Sequence, residues 1–181
     1  MADSNITKNA LANALKSLLE EMPFQKISVS DICARCDMNR KSFYYHFRDK
    51  YELANWIFDT DFLHLMQQRH DDDRWAFIEQ ACNYFYTNRS FYYKVLQIHG
   101  QDCFSEHFTE MLHPILRERV EEITGESNVH PMIINFIADG IMCAFERWIL
   151  DKNCMPPGEF VTIMKDFTQM AAVHIQNEKG T

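Results

Sequence analysis

After a polar start, "MADSN", apolar residues return every three or four positions between clusters of turn-forming residues, which is the period of helices with one buried face. Ile6, Ala10, Leu11, Ala14, Leu15 and Leu18 make one stripe and Pro23 stops it, so a first helix is expected over about 7–22. Ser28, with Asp31 three residues on, approaches a capping box and starts a second helix from Val29 or Ser30 to about Arg35. After a break at Cys36, Asp37 and Met38, the stretch "NRKSFYYHF" (39–47) forms a third. Asp49 with Glu52 at the capping-box position opens a fourth, which continues through "LANWIFDTDFLHLMQQ" to a stop and cap at "HDDDR". Further helices are expected at about 73–88, 91–98, 103–124, 130–152 and 158–177, bounded by "NRS", "HGQD", "TGESNVHP" and "NCMPPG". The pattern predicts an all-α chain of about nine helices, with the fourth joining a small N-terminal bundle to a larger C-terminal one.

Composition agrees with that pattern. The 181 residues are 46% hydrophobic with only 5 Gly and 5 Pro, which favours long helices over short strands and tight turns. No apolar run approaches the roughly 18–20 residues that span a bilayer, and the polar N-terminus lacks the apolar stretch of a signal peptide, so a cytoplasmic location and no membrane partner are expected. The six cysteines (33, 36, 82, 103, 143 and 154) are scattered through helical segments, the usage of reduced, mostly buried thiols. The net charge of −8 argues against nucleic acid only until it is counted by segment. Residues 1–55 hold 8 Lys+Arg against 7 Asp+Glu, a balance of +1, and the remaining 126 hold 10 against 19, a balance of −9. The acidity therefore belongs to the C-terminal part, and a small N-terminal unit can still meet an anion.

At about 100° per residue, Phe43 and Phe47 lie within about 40° of each other, while Lys41 and Tyr45 fall on the far side with Tyr44 at its edge. Two rings face a core, and Arg40, Lys41, Ser42, Tyr44 and Tyr45 are presented outward. On an arbitrary helix such a face is usually only solvated. Here it follows a short helix and a break of about three residues, the arrangement of a helix-turn-helix whose second helix enters the major groove.

The stretch "ISVSDICARCDMNRKSFYYHFRDKYEL" (27–53) resembles the DNA-binding domain of the TetR/AcrR family of transcriptional regulators, through Ile27, Ser28 and Val29, Ile32, then Phe43, Tyr44, His46 and Phe47, then Lys50 and Leu53. The turn departs from the family, with Cys36-Asp37 where Ala-Gly is usual; Asp is one of the few residues that tolerates a left-handed backbone there. The resemblance implies a DNA-binding domain of three helices over 1–53 and an effector- or partner-binding and dimerisation domain over 54–181. It places Arg40, Lys41, Ser42 and Tyr45 nearest bases or phosphates, Tyr44, His46 and Lys50 on the DNA backbone, and Val29 and Ser30 beside phosphate. It further implies a homodimer on a pseudo-palindromic double-stranded operator, formed through the last two long helices. Ile134, Ile137, Ile141, Phe145, Trp148, Phe160, Met164, Phe167 and Met170 are available for that interface or for the chain's own core. The stretch "NRSFYYKVLQIHGQDCFSEHF" is also similar to a subgroup that includes activators of dihydroxyacetone-kinase operons, which leaves both a small-molecule effector and a protein co-regulator open.

Other constellations are weaker. Cys33 and Cys36 form a C-x-x-C that could serve thiol redox chemistry or half a zinc site, but no second pair and no ligand His pair accompany it. "HDDD" (70–73) reads as a stop and cap, and His107 and His113 are six apart, off a shared helical face. No catalytic residue, metal site or cofactor is expected, and the chain is not read as an enzyme. The alternatives are a redox or metal protein using Cys33 and Cys36, and a binding module that has lost its operator.

Overall fold

The computed structural model describes residues 2–67, 74–98, 103–125 and 127–179, and the side chains of 4–62, 75–98, 103–125 and 127–170. Among them the structure is all-helical, as the periodicity predicts: α1 (Ala2–Glu21), α2 (Val29–Arg35), α3 (Arg40–His46), α4 (Lys50–Gln67), α5 (Arg74–Thr87), α6 (Arg89–Val95), α7 (Phe104–Thr124), α8 (Pro131–Leu150) and α9 (Pro157–Lys179), with a 3₁₀ turn at Phe24–Lys26 between α1 and α2. The "HDDD" stretch and the "HGQD" break lie outside the described residues. Two boundaries differ from the sequence reading. α1 begins five residues earlier than the apolar stripe suggests, and Ile6, counted in that stripe, is exposed. α6 spans Arg89–Val95 instead of 91–98, with Asn88 at its N-cap position and a turn from Leu96.

The helices pack as two compact units. The first holds residues up to Gln67 together with Asn88–His107. Its core is Leu11 and Leu15 of α1, Phe24 and Ile27 of the 3₁₀ region, Ile32, Phe43, Leu53, Ile57, Phe58, Tyr92 and Leu96, each at most 2% exposed. α1 packs on α2, α3, α4 and α6, so the two short helices rest on one long support. The second unit holds Gln68–Thr87 and Phe108–Thr181. There Phe145 meets Phe85 at 4.6 Å and Phe108 at 5.2 Å between ring centroids, and Trp148 stacks on Phe160 at 4.4 Å.

Capping helps form the short helices α2 and α3, which have too few turns to form unaided. Ser28 and Asp31 make the full reciprocal box: Asp31 N–H donates to Ser28 Oγ at 3.2 Å, and Ser28 N–H to Asp31 Oδ2 at 2.8 Å. The hydroxyl also donates to that carboxylate, and these bonds hold Asp31 below its ordinary carboxylate range. At the other end of α2, Met38 N–H donates to Cys33 O at 2.9 Å and Asp37 N–H to Ala34 O at 3.5 Å, the two closures of a Schellman motif. That motif needs a left-handed residue at Asp37, whose φ is 54°. Asp37→Val is expected to lower stability by about 1 kcal/mol, because a β-branched side chain is strained there, while Asp37→Gly retains it. Paired urea melts check this, and equal midpoints for wild type and Asp37→Val would contradict the strain.

Candidate nucleic-acid interface

The turn sets the start of α3, and Asn39 fixes it by accepting Ser42 N–H on Oδ1 at 2.9 Å. The two rings predicted to face inward do so: Phe43 is fully buried and Phe47 nearly so, with centroids 5.9 Å apart. Phe47 also meets Trp56 of α4 at 5.7 Å, and Lys8 of α1 lies over both rings. With that face anchored, the opposite one cannot turn in. Tyr45 is 83% exposed and Tyr44 50%; Arg40 and Lys41 are exposed, Ser42 and His46 half-buried. His46 packs edge-on to Tyr45 at 4.9 Å. At the start of α2, Val29 is half-buried and Ser30 exposed.

Charge counting treats every cation alike, and the structure separates them. Arg35 is bidentate to Glu21 at 2.8 Å on both oxygens and also donates to Ser17, which ties α2 to α1; the same contact holds Glu21 below and Arg35 above their ordinary ranges. Arg48 pairs with Asp49, and Lys16 with Asp61, both at 3.3 Å. Lys50 donates to the carbonyls of Phe24 at 2.7 Å, Ile27 at 2.7 Å and Gln25 at 3.3 Å, so all three hydrogens of its ammonium close the 3₁₀ turn. Burial pulls its pKa down, against a smaller opposing pull from Asp31. Arg40 and Lys41, on the outward face of α3, carry no ion pair among the described residues.

The C-x-x-C has the wrong environment for redox chemistry. Cys33 is buried, and Cys36 donates its thiol to Ile32 O at 3.3 Å. Burial, more than any other influence, pushes both thiols up, away from reactive thiolate. Among the described residues no group of His, Cys, Asp and Glu is placed to hold a metal. His107, considered above as a ligand, instead contacts Asp59 through Nε2 at 2.6 Å.

Residues 11–56 match the family model described as "Bacterial regulatory proteins, tetR family", and residues 73–170, more than half the chain, match the TetR-type model described as "Transcriptional regulator C-terminal region". The chain belongs to the TetR family. TetR regulators bind DNA, typically as dimers, and are generally not enzymes. A curated relative, the "HTH-type dhaKLM operon transcriptional activator DhaS" of Lactococcus lactis subsp. lactis (strain IL1403), is 35% identical over 109 residues, 60% of this chain and 57% of that protein. The match therefore spans less than two thirds of that relative's length. Among solved structures, the "Dihydroxyacetone kinase operon activator DhaS" superposes with a TM-score of 0.64 at 25% identity, covering 91% of this chain and 97% of the other. A TetR regulator from Streptococcus agalactiae 2603V superposes at 0.69 with 22% identity over 90% and 93%. NalD, the secondary repressor of the MexAB-OprM multidrug efflux pump in Pseudomonas aeruginosa, does so at 0.60 with 17% identity over 91% and 94%. The last two show the fold alone.

In TetR terms α2 and α3 are the helix-turn-helix, and α8 and α9 are the helices named above for pairing. The structure sorts their apolar residues in a way the sequence leaves open. Ile134, Phe145, Trp148 and Phe160 are buried within their own unit, Ile137, Ile141 and Met164 are half-buried, and Phe167 and Met170 are about two thirds exposed. Four further apolar residues, which the sequence reading did not single out for pairing, lie bare on the same two helices: Met132, Ile133, Ile163 and, at 79%, Phe136. The signal for these was present in the spacing 133, 136, 140, which is one face of a helix, but periodicity alone cannot say which of two apolar faces stays outside.

Proposed function

We propose that this protein is a homodimeric, sequence-specific DNA-binding transcriptional regulator of the cytoplasm, with residues 1–53 on the DNA and 54–181 receiving the effector and pairing the copies. The observation that carries this reading is the outward face of α3, where Arg40, Lys41, Tyr44 and Tyr45 stand exposed, the two cations without an ion pair among the described residues, on a helix bolted down by Phe43 and Phe47. Cations and hydroxyls suit phosphate oxygens, and the second helix of a helix-turn-helix is the one that enters a major groove. Ser42, His46, Val29 and Ser30 flank that face and are assigned to phosphate. Lys50 is assigned a supporting role, since its ammonium already holds three carbonyls of the 3₁₀ turn ahead of α2.

Pairing is supported by the bare apolar face and by Gly140, which lies on it in the middle of α8. A Cβ built there meets nothing within 4 Å, so the chain's own packing does not require glycine. Glycine costs about 1 kcal/mol in a helix interior, and close approach of a second backbone is a reason to keep it. Two copies related by a twofold axis present two recognition helices to a pseudo-palindromic site. The C-terminal domain is assigned to an effector, and the similarity to DhaS leaves both a small molecule and a protein co-regulator as its occupant.

A mobility-shift titration with the DNA upstream of the protein's own gene tests the reading. Binding should be seen at low salt and should weaken as salt rises. Lys41→Ala should make the slope of log K against log salt shallower by about 2, one phosphate per subunit at roughly 0.9 each. No shifted band at low salt would remove DNA as the partner, and a slope that Lys41→Ala leaves alone would remove Lys41 as a phosphate contact.

A further inference from the structure

The two outward cations of α3 are not equivalent. Lys41 makes no hydrogen bond within the chain among the described residues. Arg40 does: its Nη2 donates to the Tyr44 hydroxyl oxygen at 3.2 Å, and its guanidinium carbon lies 5.7 Å from the centroid of the Tyr44 ring. Tyr44 is fixed in turn, because its ring stands edge-on to Phe43 at 5.5 Å, and Phe43 is fully buried. A relay of rings thus runs from the core of the first unit to the guanidinium.

We infer that Arg40 is the residue that reads a base, that the base is guanine, and that Tyr44 is the positioning residue that holds the guanidinium ready; this rests on the regulator reading above. Arg40 is the first residue of α3, and residues in the N-terminal part of a recognition helix are the ones that reach base edges. An arginine fork in the major groove finds its bidentate match in the O6 and N7 acceptors of guanine, and no other base offers two acceptors side by side there. Only one of the five N–H groups of Arg40 is used by Tyr44, which leaves a pair for the base. Tyr44 accepts from Arg40 through its oxygen, so its own O–H stays available to a phosphate, and one side chain can clamp the DNA backbone while aligning its neighbour. Holding a long side chain in place beforehand removes part of the ordering cost of binding. Lys41, without such a hold, is left as a phosphate contact that adds affinity without sequence information.

Selection of the full-length protein on a random-sequence duplex pool, followed by titration of the selected duplex with each base substituted in turn, tests the inference. One position in each half-site should require guanine, with adenine there weakening binding by about tenfold or more, the discrimination a bidentate pair supplies. Arg40→Ala should flatten preference at that position while the remaining positions keep theirs. Tyr44→Phe should reduce the guanine-to-adenine ratio by several-fold, an effect that a merely structural tyrosine would not have. Uniform weakening across all duplexes in Arg40→Ala, with the guanine preference intact, overturns the base-reading role and leaves the regulator reading standing. A Tyr44→Phe variant with an unchanged ratio overturns the positioning role. Failure of the wild-type protein to enrich any duplex sinks both readings together.

Discussion

Phe136→Glu is expected to halve the solution mass, from twice the 21.5 kDa of the chain to the chain mass itself, and to remove operator binding with it. Phe136 is 79% exposed on α8, so its own fold loses almost nothing when the ring goes, and helical content should be unchanged. In a twofold interface, however, the ring is lost twice and two carboxylates are brought towards each other. A buried aromatic anchor is worth about 2 kcal/mol or more, so the pair of copies loses about 4 kcal/mol, on the order of a thousandfold in dimer dissociation constant. DNA affinity follows because a monomer engages one half-site without the effective concentration that a joined partner supplies, typically worth roughly 10²–10⁴. Light scattering and a mobility shift on the same sample measure both, and a variant that keeps the doubled mass would place the pairing face elsewhere. Ile134 is the contrasting position. It is buried inside its own unit, so Ile134→Ala should lower stability and leave the oligomeric state alone.

Lys50→Met is expected to destabilise the protein by about 2 kcal/mol, with a fall in melting temperature of roughly 4–8 °C. Methionine keeps the length and apolar stem of lysine but donates nothing, so the carbonyls of Phe24, Gln25 and Ile27 lose their shared donor. Those carbonyls belong to the turn between α1 and α2, and the same ammonium lies 4.6 Å over the Phe24 ring, which is fully buried in the core. Loosening them would let α2 shift on α1 despite the Arg35–Glu21 fork. Urea unfolding of the free protein reads this effect directly. If Lys50 instead served only as a phosphate contact, the unfolding midpoint would not move and the whole effect would appear in DNA affinity.

Much of this was legible in the residues because it is local. The Ser28–Asp31 box, the stop at Pro23, the left-handed Asp37 and the split of the α3 rings into Phe43 and Phe47 inward and Tyr44 and Tyr45 outward all depend on neighbours within about five positions. Helix period and capping chemistry act over that range, so a linear chain displays them. The helix expected at about 103–124 is present as α7, with Pro114 inside it. Where the reading went astray locally, as with Ile6 in the apolar stripe of α1, a stripe one residue wider than the neighbouring surface looks the same in sequence as one that is covered.

By itself, then, the sequence determined the all-helical class, the helix-turn-helix and its outward basic-aromatic face, and through its motifs the TetR family. Only the tertiary structure decided which of the interchangeable-looking residues do what: that Lys50 and Arg35 hold protein while Arg40 and Lys41 face outward, that Phe145 and Trp148 belong to a core while Phe136 and Phe167 are left bare. The physical reason is distance along the chain. Lys50 meets Phe24 across 26 residues and Trp148 meets Phe160 across a turn, and the strength of a charge or the worth of an apolar ring depends on what lies beside it in space.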